Sequence, residues 1–114
     1  MDINCKGRRA VVTAGGSGIG RTIAETLADN GAQVFVCDVA EDHLQTLAAG
    51  RPDIGAVVAD VSRADDVARL FDAAVEAMGG VDILINNAGA IPRGTLEEMD
   101  DEALRQSWEL KLFG

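Results

Sequence analysis

Residues 13–20 read Thr-Ala-Gly-Gly-Ser-Gly-Ile-Gly and separate two segments of different period. Before them, the run AVVTA at residues 10–14 is typical of a short strand. After them, apolar residues recur at helical spacing, namely Ile19, Ile23, Ala24, Leu27 and Ala28, up to a C-cap at Asn30 and Gly31. Glycines let a backbone approach a ligand that a Cβ would block, and the first turn of a helix offers unpaired N–H groups. The segment therefore predicts a loop that binds phosphate.

Four short apolar runs predict the strands of one parallel sheet. They are AVVTA at 10–14, QVFVCD at 33–38, GAVVAD at 55–60 and VDILINN at 81–87. A weaker helix is expected at residues 41–49, where Leu44, Leu47 and Ala48 form the apolar face. A stronger helix carries Val67, Leu70, Phe71, Ala74, Val75 and Met78 and is expected to begin with a capping box of Ser62 and Asp65. This alternation predicts an α/β fold, doubly wound, with a parallel sheet buried on both faces.

Length and charge restrict the classes of protein. The 114 residues have room for one domain, 1–114, and the net charge of −9 disfavours nucleic acid and anionic membranes as partners. No segment has the length and apolarity of a membrane span or a signal peptide. Cys5 and Cys37 lack metal-ligand spacing, which favours reduced thiols in a cytoplasmic protein.

An acidic residue ends the second predicted strand. Asp38 stands where a carboxylate can accept hydrogen bonds from both hydroxyls of a ribose, in the context of a strand, a Gly-rich loop and a helix. The same carboxylate would repel the 2′-phosphate of NADP, and the positions where a basic residue would read that phosphate hold Gly15, Gly16, Ser17 and Val39. The predicted cofactor is therefore NAD.

Three motifs together resemble the short-chain dehydrogenases/reductases. The Gly-rich loop is similar to that family's T-G-x-x-x-G-x-G, with Ala14 at the first Gly, where we expect an ordinary φ. Asp60-Val61 and Asn86-Asn87-Ala88-Gly89 follow in matching order, and the resemblance covers residues 6–114. It implies a Rossmann-type NAD(P)-binding domain. The implied cofactor-binding residues are Ala14, Gly15, Ser17, Gly18, Ile19, Gly20, Asp38, Asp60, Val61, Asn87, Ala88 and Gly89.

The resemblance implies hydride transfer between NAD(H) and an alcohol or ketone. The family's reaction uses an Asn, a Ser and a Tyr with a Lys four residues later, and none of these is found in place here, since the chain has no Tyr and Lys111 stands at the Asn position. We therefore assign no catalytic residue and expect the 114 residues alone to be inactive. Lys111 is interpreted as a solvent-facing or interface lysine, with the ordering of a water chain in place of the Asn as the alternative.

The last segment raises the question of a truncation. Residues 100–114 are expected to form an acid-led helix that reaches Leu112 and Phe113 without a cap, which suggests that the chain continued in a longer parent. About four strands, in the order 3-2-1-4, would leave the fourth strand as an unpaired edge. Through that edge or the last helix we expect a homo-oligomer.

Two other classes of protein stay open. Residues 15–22 read G-x-x-x-x-G-R-T, which is close to the loop of a P-loop NTPase, but Arg21 replaces the lysine that contacts the phosphates. A non-catalytic NAD-binding or dimerisation module is the second alternative. The lone His43 is interpreted as a surface residue, and the acids at 97–102 as a solvated helix start rather than a metal site.

Overall fold

The computed structural model describes residues 5–87 and the backbone of residues 111–113. Strands and helices alternate from the first strand to the fourth. In chain order they are β1 (Arg9–Thr13), α1 (Gly18–Asp29), β2 (Gln33–Asp38), α2 (Glu41–Gly50), β3 (Gly55–Val58), α3 (Ala64–Met78), β4 (Ile83–Asn86) and β5 (Lys111–Phe113).

The sheet is parallel and runs β3-β2-β1-β4-β5. Its register pairs Val11 with Phe35 on one side and with Leu84 on the other, so β1 lies in the middle. The predicted order 3-2-1-4 and the doubly wound α/β class are confirmed. Because the strands are parallel, the carboxyl ends of β1 to β4 meet at one edge of the sheet, where ligands of such folds bind.

Alternate residues of β1 pack into two separate hydrophobic layers. Val11 contacts the layer that contains Leu70 and Phe71 of α3. Val12 contacts the opposite layer, with Ala24 of α1 and Leu47 of α2. The period of two in a strand and the near-continuous apolar sequence are thus explained by helices on both faces of the sheet.

The prediction that the sheet is buried on both faces is wrong for the outer strand β3. Residues of β3 alternate between half-buried and exposed, and the side chain of Val58 is 41% exposed. In the part of the sheet that the structure describes, β3 is an edge strand and has a neighbouring strand on one side only. Its outward positions therefore receive less cover from the helices.

Three predictions for the helices also need correction. Ile19 is 73% exposed, because it lies in the first turn of α1, beyond the part of the helix that covers the sheet. Ala48 in α2 is exposed as well. The capping box of α3 does not form, since Arg63 is the N-cap residue without a side-chain cap bond, and the Ser62 hydroxyl donates to Asp60 instead.

The C-terminal glycine of α1 is confirmed, with Gly31 at φ +99°.

The end of the chain differs from the expected helix. Lys111–Phe113 form β5, paired in parallel with β4 so that Lys111 aligns with Leu84. The predicted free edge of β4 is therefore wrong, because β5 takes up the N–H and C=O groups of that edge. Helical periodicity is a weak indicator that pairing with a strand edge overrides. Residues 88–110 and 114, with the rest of the expected helix, lie outside the described residues.

Candidate functional site

A cavity of about 270 Å³ lies at the carboxyl ends of β1, β2 and β3. Its walls come from the segments that follow these strands, namely Ala14, Cys37, Asp38, Val39, Ala59, Asp60, Val61 and Ser62. The volume is at the small end of the range for ligand sites, so it suits one part of a dinucleotide, such as the base with its ribose, rather than the whole molecule. No lysine or arginine is among the lining residues that the structure describes.

The Gly-rich loop closes against β2 and permits no side chain at two of its positions. A Cβ on Gly15 would lie 2.6 Å from the Cβ of Val36, and a Cβ on Gly20 would lie 2.1 Å from the Ala14 carbonyl oxygen. The Gly15 N–H donates to the Cys37 carbonyl at 3.0 Å, which ties the loop to the sheet. These glycines are therefore required because Gly15 lies close to the Val36 side chain and Gly20 lies close to the Ala14 backbone.

Ala14 adopts φ +52°, in the left-handed region. The expectation of an ordinary φ is wrong, because the tight turn after β1 imposes a left-handed conformation that glycine adopts more readily than alanine. Ala14 thus keeps the loop shape at a cost in backbone strain.

The N-terminus of α1 faces the same edge of the sheet. Ser17 is the N-cap residue with extended backbone, its side chain makes no cap bond, and the first turn holds no acidic residue. Gly18 follows at φ +58°, with nothing within 4 Å of a Cβ built on it. Unpaired N–H groups at a helix N-terminus, without a carboxylate to satisfy them, form a suitable site for a phosphate.

Asp38 is buried and held by the backbone on two sides. Its Oδ2 accepts a hydrogen bond from the Gly16 N–H at 3.1 Å, and its Oδ1 accepts one from the Ala40 N–H at 3.0 Å. The carboxylate lines the cavity with a fixed orientation. Each oxygen keeps a second lone-pair direction, so both can accept a hydrogen bond from a ligand hydroxyl.

Asp60 and Val61 form the part of the wall that follows β3. The Asp60 carboxylate accepts hydrogen bonds from the Ser62 hydroxyl at 2.6 Å and from the Ser62 N–H at 2.9 Å, which lower the pKa of Asp60 below its ordinary value. The Asp60 N–H donates to the Asp66 carboxylate at 2.8 Å. Asp66 on α3 therefore positions the start of this wall.

The fourth strand fixes the loop from the other side. The Thr13 hydroxyl donates to the Asn86 amide oxygen at 2.8 Å in the buried core between β1 and β4. The Asn87 amide group lies 3.5 Å from the Ala14 carbonyl oxygen and next to Gly20. Asn87 thus lies beside the Gly-rich loop, whereas Ala88 and Gly89 lie outside the described residues.

Two residues of the site were missed by the sequence reasoning. Gly16 donates to Asp38, and a Cβ there would come within 2.9 Å of the Asp38 carboxylate and of the His43 side chain. The Nδ1 atom of His43 lies 3.3 Å from the Ser17 hydroxyl and 3.8 Å from the Asp38 carboxylate. Motif spacing contains no signal for His43, because its proximity depends on how α2 packs beside the loop.

Other polar groups have structural explanations. Burial raises the pKa of the Cys37 thiol to about 11, so the thiol is protonated and unreactive at neutral pH. Arg9 pairs with Asp82 at 3.0 Å, at the amino end of β1 and away from the cavity. Arg21, the residue that a P-loop would need to direct onto phosphate, pairs with Glu25 on its own helix at 3.0 Å.

Within residues 5–87 and 111–113, no cluster of His, Cys, Asp and Glu could hold a metal ion. The same residues include no helix that is long and apolar enough to cross a membrane.

Comparison with known proteins is consistent with this geometry. Residues 8–114 match the short chain dehydrogenase family, and the chain belongs to that family of oxidoreductases. The Streptomyces violaceoruber protein named as ketoacyl reductase 2 of the granaticin polyketide synthase is 44% identical over 110 residues, which are 92% of this chain and 44% of that protein. The 3beta-hydroxysteroid dehydrogenase 2 of Eggerthella lenta is 36% identical over 93% of this chain and 43% of its own length.

A solved structure of the same family is also similar to this chain. The short chain dehydrogenase/reductase from Burkholderia phymatum in complex with NAD is 41% identical, with a TM-score of 0.68 over 77% of this chain and 33% of that one. The chain thus spans less than half of the length of these relatives. The P-loop alternative is not favoured, because the match to the dehydrogenase family covers both the loop and the residues after β3 and β4.

Proposed function

We propose that this chain is the cofactor-binding part of an NAD-dependent short-chain dehydrogenase/reductase. The observation that carries the proposal is the buried Asp38 carboxylate at the end of β2, in a cavity with no lysine or arginine among its described lining residues. A carboxylate accepts hydrogen bonds from ribose hydroxyls and repels a 2′-phosphate, so it favours NAD over NADP.

The residues present fit a dinucleotide. The absent side chains of Gly15 and Gly20 let the loop lie close to the sheet, and the N-terminus of α1 supplies N–H groups without a competing acid. Ala14, Ser17, Gly18 and Ile19 would hold the pyrophosphate, while Asp38, Asp60 and Val61 would hold the adenosine. Asn87, Ala88 and Gly89 would line the path toward the reactive ring.

When bound, the cofactor supplies a hydride acceptor or donor for an alcohol or ketone. The 114 residues contain no tyrosine, so they lack the phenol that would exchange the substrate proton in this family. We propose that the chain binds cofactor but does not turn substrate over by itself, and that the whole protein, as a homo-oligomer, carries out the reaction. The alternative of a module that only binds NAD predicts the same binding.

The first experiment measures the dissociation constants of NAD and NADP by calorimetry on the 114-residue chain. We expect NAD to bind about fivefold or more tightly than NADP, because one uncompensated charge near a phosphate contributes at least about 1 kcal/mol. Asp38→Asn should remove most of this preference, mainly by tightening NADP. The control Glu76→Gln removes one negative charge from an exposed position on α3 and should leave the preference unchanged.

Equal affinity of the unmodified chain for both dinucleotides would contradict the assignment of NAD. Reduction of a ketone panel by the chain alone, with NADH, would contradict the proposed inactivity.

A further inference from the structure

The imidazole of His43 lies beside the group that is proposed to select the cofactor. Its Nδ1 atom is 3.8 Å from Asp38 Oδ1 and 3.3 Å from the Ser17 hydroxyl. The His43 side chain is 45% exposed, whereas the side chain of Asp38 is 9% exposed. The carboxylate is therefore reached from solvent next to an imidazole.

The packing of α2 against the loop fixes this arrangement. Gly16 leaves no room for a Cβ between Asp38 and His43, with 2.9 Å to an atom of each. Asp38 also accepts the N–H of Ala40, the N-cap residue of α2, so carboxylate and helix start are joined. His43 in the first turn of that helix is consequently held near Asp38 by the backbone.

The charges around His43 are mostly negative. Asp38 faces it from β2, Glu41 and Asp42 are exposed in the same turn of α2, and the loop contributes the neutral Ser17. Arg21 of α1 lies near Gly50 at the other end of α2. In the part of the chain that the structure describes, the ion-pair partner of Asp38 is His43.

Histidine is the side chain whose charge ordinarily changes between pH 5 and 8. We propose that His43 is a specificity-determining residue whose protonation admits the 2′-phosphate of NADP to this site. This inference rests on the proposed function, because Asp38 must be the group that receives the ribose. With a neutral imidazole, the carboxylate alone faces the 2′ position and NAD is preferred. With a charged imidazole, a cation stands beside the carboxylate and offsets its repulsion of the phosphate.

The test measures NAD and NADP affinity by calorimetry at pH 8 and pH 5.5 for the unmodified chain, His43→Gln and His43→Lys. In the unmodified chain, NADP should bind more tightly at the lower pH, by about fivefold beyond the change in His43→Gln, as expected for one charge at a half-exposed site. The 2′-phosphate itself titrates near pH 6, and His43→Gln measures that contribution separately. His43→Lys should bind NADP tightly at both pH values.

A second readout follows the imidazole directly. His43 is the one histidine of the sequence, so its proton resonance is identified without assignment. NADP should move the titration curve of this resonance to higher pH, since binding and protonation are linked, and NAD should leave it in place.

The outcomes separate the two proposals. An equal pH dependence of NADP binding in the unmodified chain and His43→Gln, with NAD bound normally, overturns the role of His43 alone. A chain that binds neither dinucleotide overturns the proposed function and this inference together.

Discussion

At the scale of single residues, Ala14 is the most unusual position of the loop. A non-glycine residue at φ +52° costs about 1–2 kcal/mol in backbone strain. The loop keeps its shape because its neighbours are held by the Gly15 bond to Cys37 and by the close contact of Gly20. The strain is local and can be relieved by one substitution.

Ala14→Gly is expected to raise the free energy of unfolding by up to about 1 kcal/mol, because the relief of strain exceeds the extra freedom of glycine in the unfolded chain. Urea unfolding followed by circular dichroism measures the change. The matched control is Ala73→Gly in the middle of α3, where glycine should lower the stability by about 0.5–1 kcal/mol. Destabilisation of similar size in both variants would contradict strain at Ala14.

Single residues also show how much of the candidate site could be predicted from the sequence. Gly15, Gly20 and Asp38 were predicted as site residues because the close approach of a loop to a strand and the position of an acid after a strand leave a signal in the order of residues. His43 and Gly16 were not, since their contacts arise between α2 and the loop, which are separate along the chain. The positive φ of Ala14 was not predicted, because the presence of an alanine does not indicate the type of turn in which it lies.

At the scale of elements, α3 and α1 differ in how well periodicity predicts burial. Every apolar residue expected to pack from α3 is buried or half-buried, with Leu70 at 0% exposure. Ile19 fits the stripe of α1 but is exposed, because a periodic pattern does not show where the helix passes beyond the sheet. The strand β5 was missed for a related reason, since an apolar run can pair with an edge or continue a helix.

Leu70→Ala should lower the free energy of unfolding by about 2–4 kcal/mol, through the lost apolar contact and the cavity that it leaves. Ile19→Ala truncates an apolar side chain that is 73% exposed and should change the stability by no more than about 0.5 kcal/mol. Both values come from denaturant unfolding at a single pH. A large loss for Ile19→Ala would indicate that the first turn of α1 packs more closely than described.

At the scale of the whole molecule, the ion pair between Arg9 and Asp82 joins the starts of β1 and β4. The carboxylate accepts from the Arg9 N–H at 2.9 Å and from the guanidinium at 3.0 and 3.1 Å. The guanidinium holds the pKa of Asp82 below its ordinary value. A lowered carboxyl pKa stabilises the folded chain above the unfolded pKa of about 4, and this contribution is lost as pH falls through the folded pKa.

Asp82→Asn should therefore lower the stability at pH 7 by about 1–2 kcal/mol, and the difference from the unmodified chain should shrink as the pH falls below about 4. Thermal unfolding across that range measures both quantities. Asp72→Asn changes the net charge equally at an exposed position of α3 and should follow the unmodified chain. A difference in stability between Asp82→Asn and the unmodified chain that stays constant down to pH 2 would show that the Arg9–Asp82 ion pair does not cause it.

The hydrogen bond between Thr13 and Asn86 joins β1 and β4 at the end that carries the loop and adds to the backbone pairing of these two strands. The Gly-rich loop therefore loses its conformational entropy when the chain folds, rather than when a ligand arrives. A ligand that meets a loop already ordered by folding needs no slow ordering of that loop, so its association rate is set by diffusion and orientation. Differences in affinity among dinucleotides at this site should then appear as differences in their residence times.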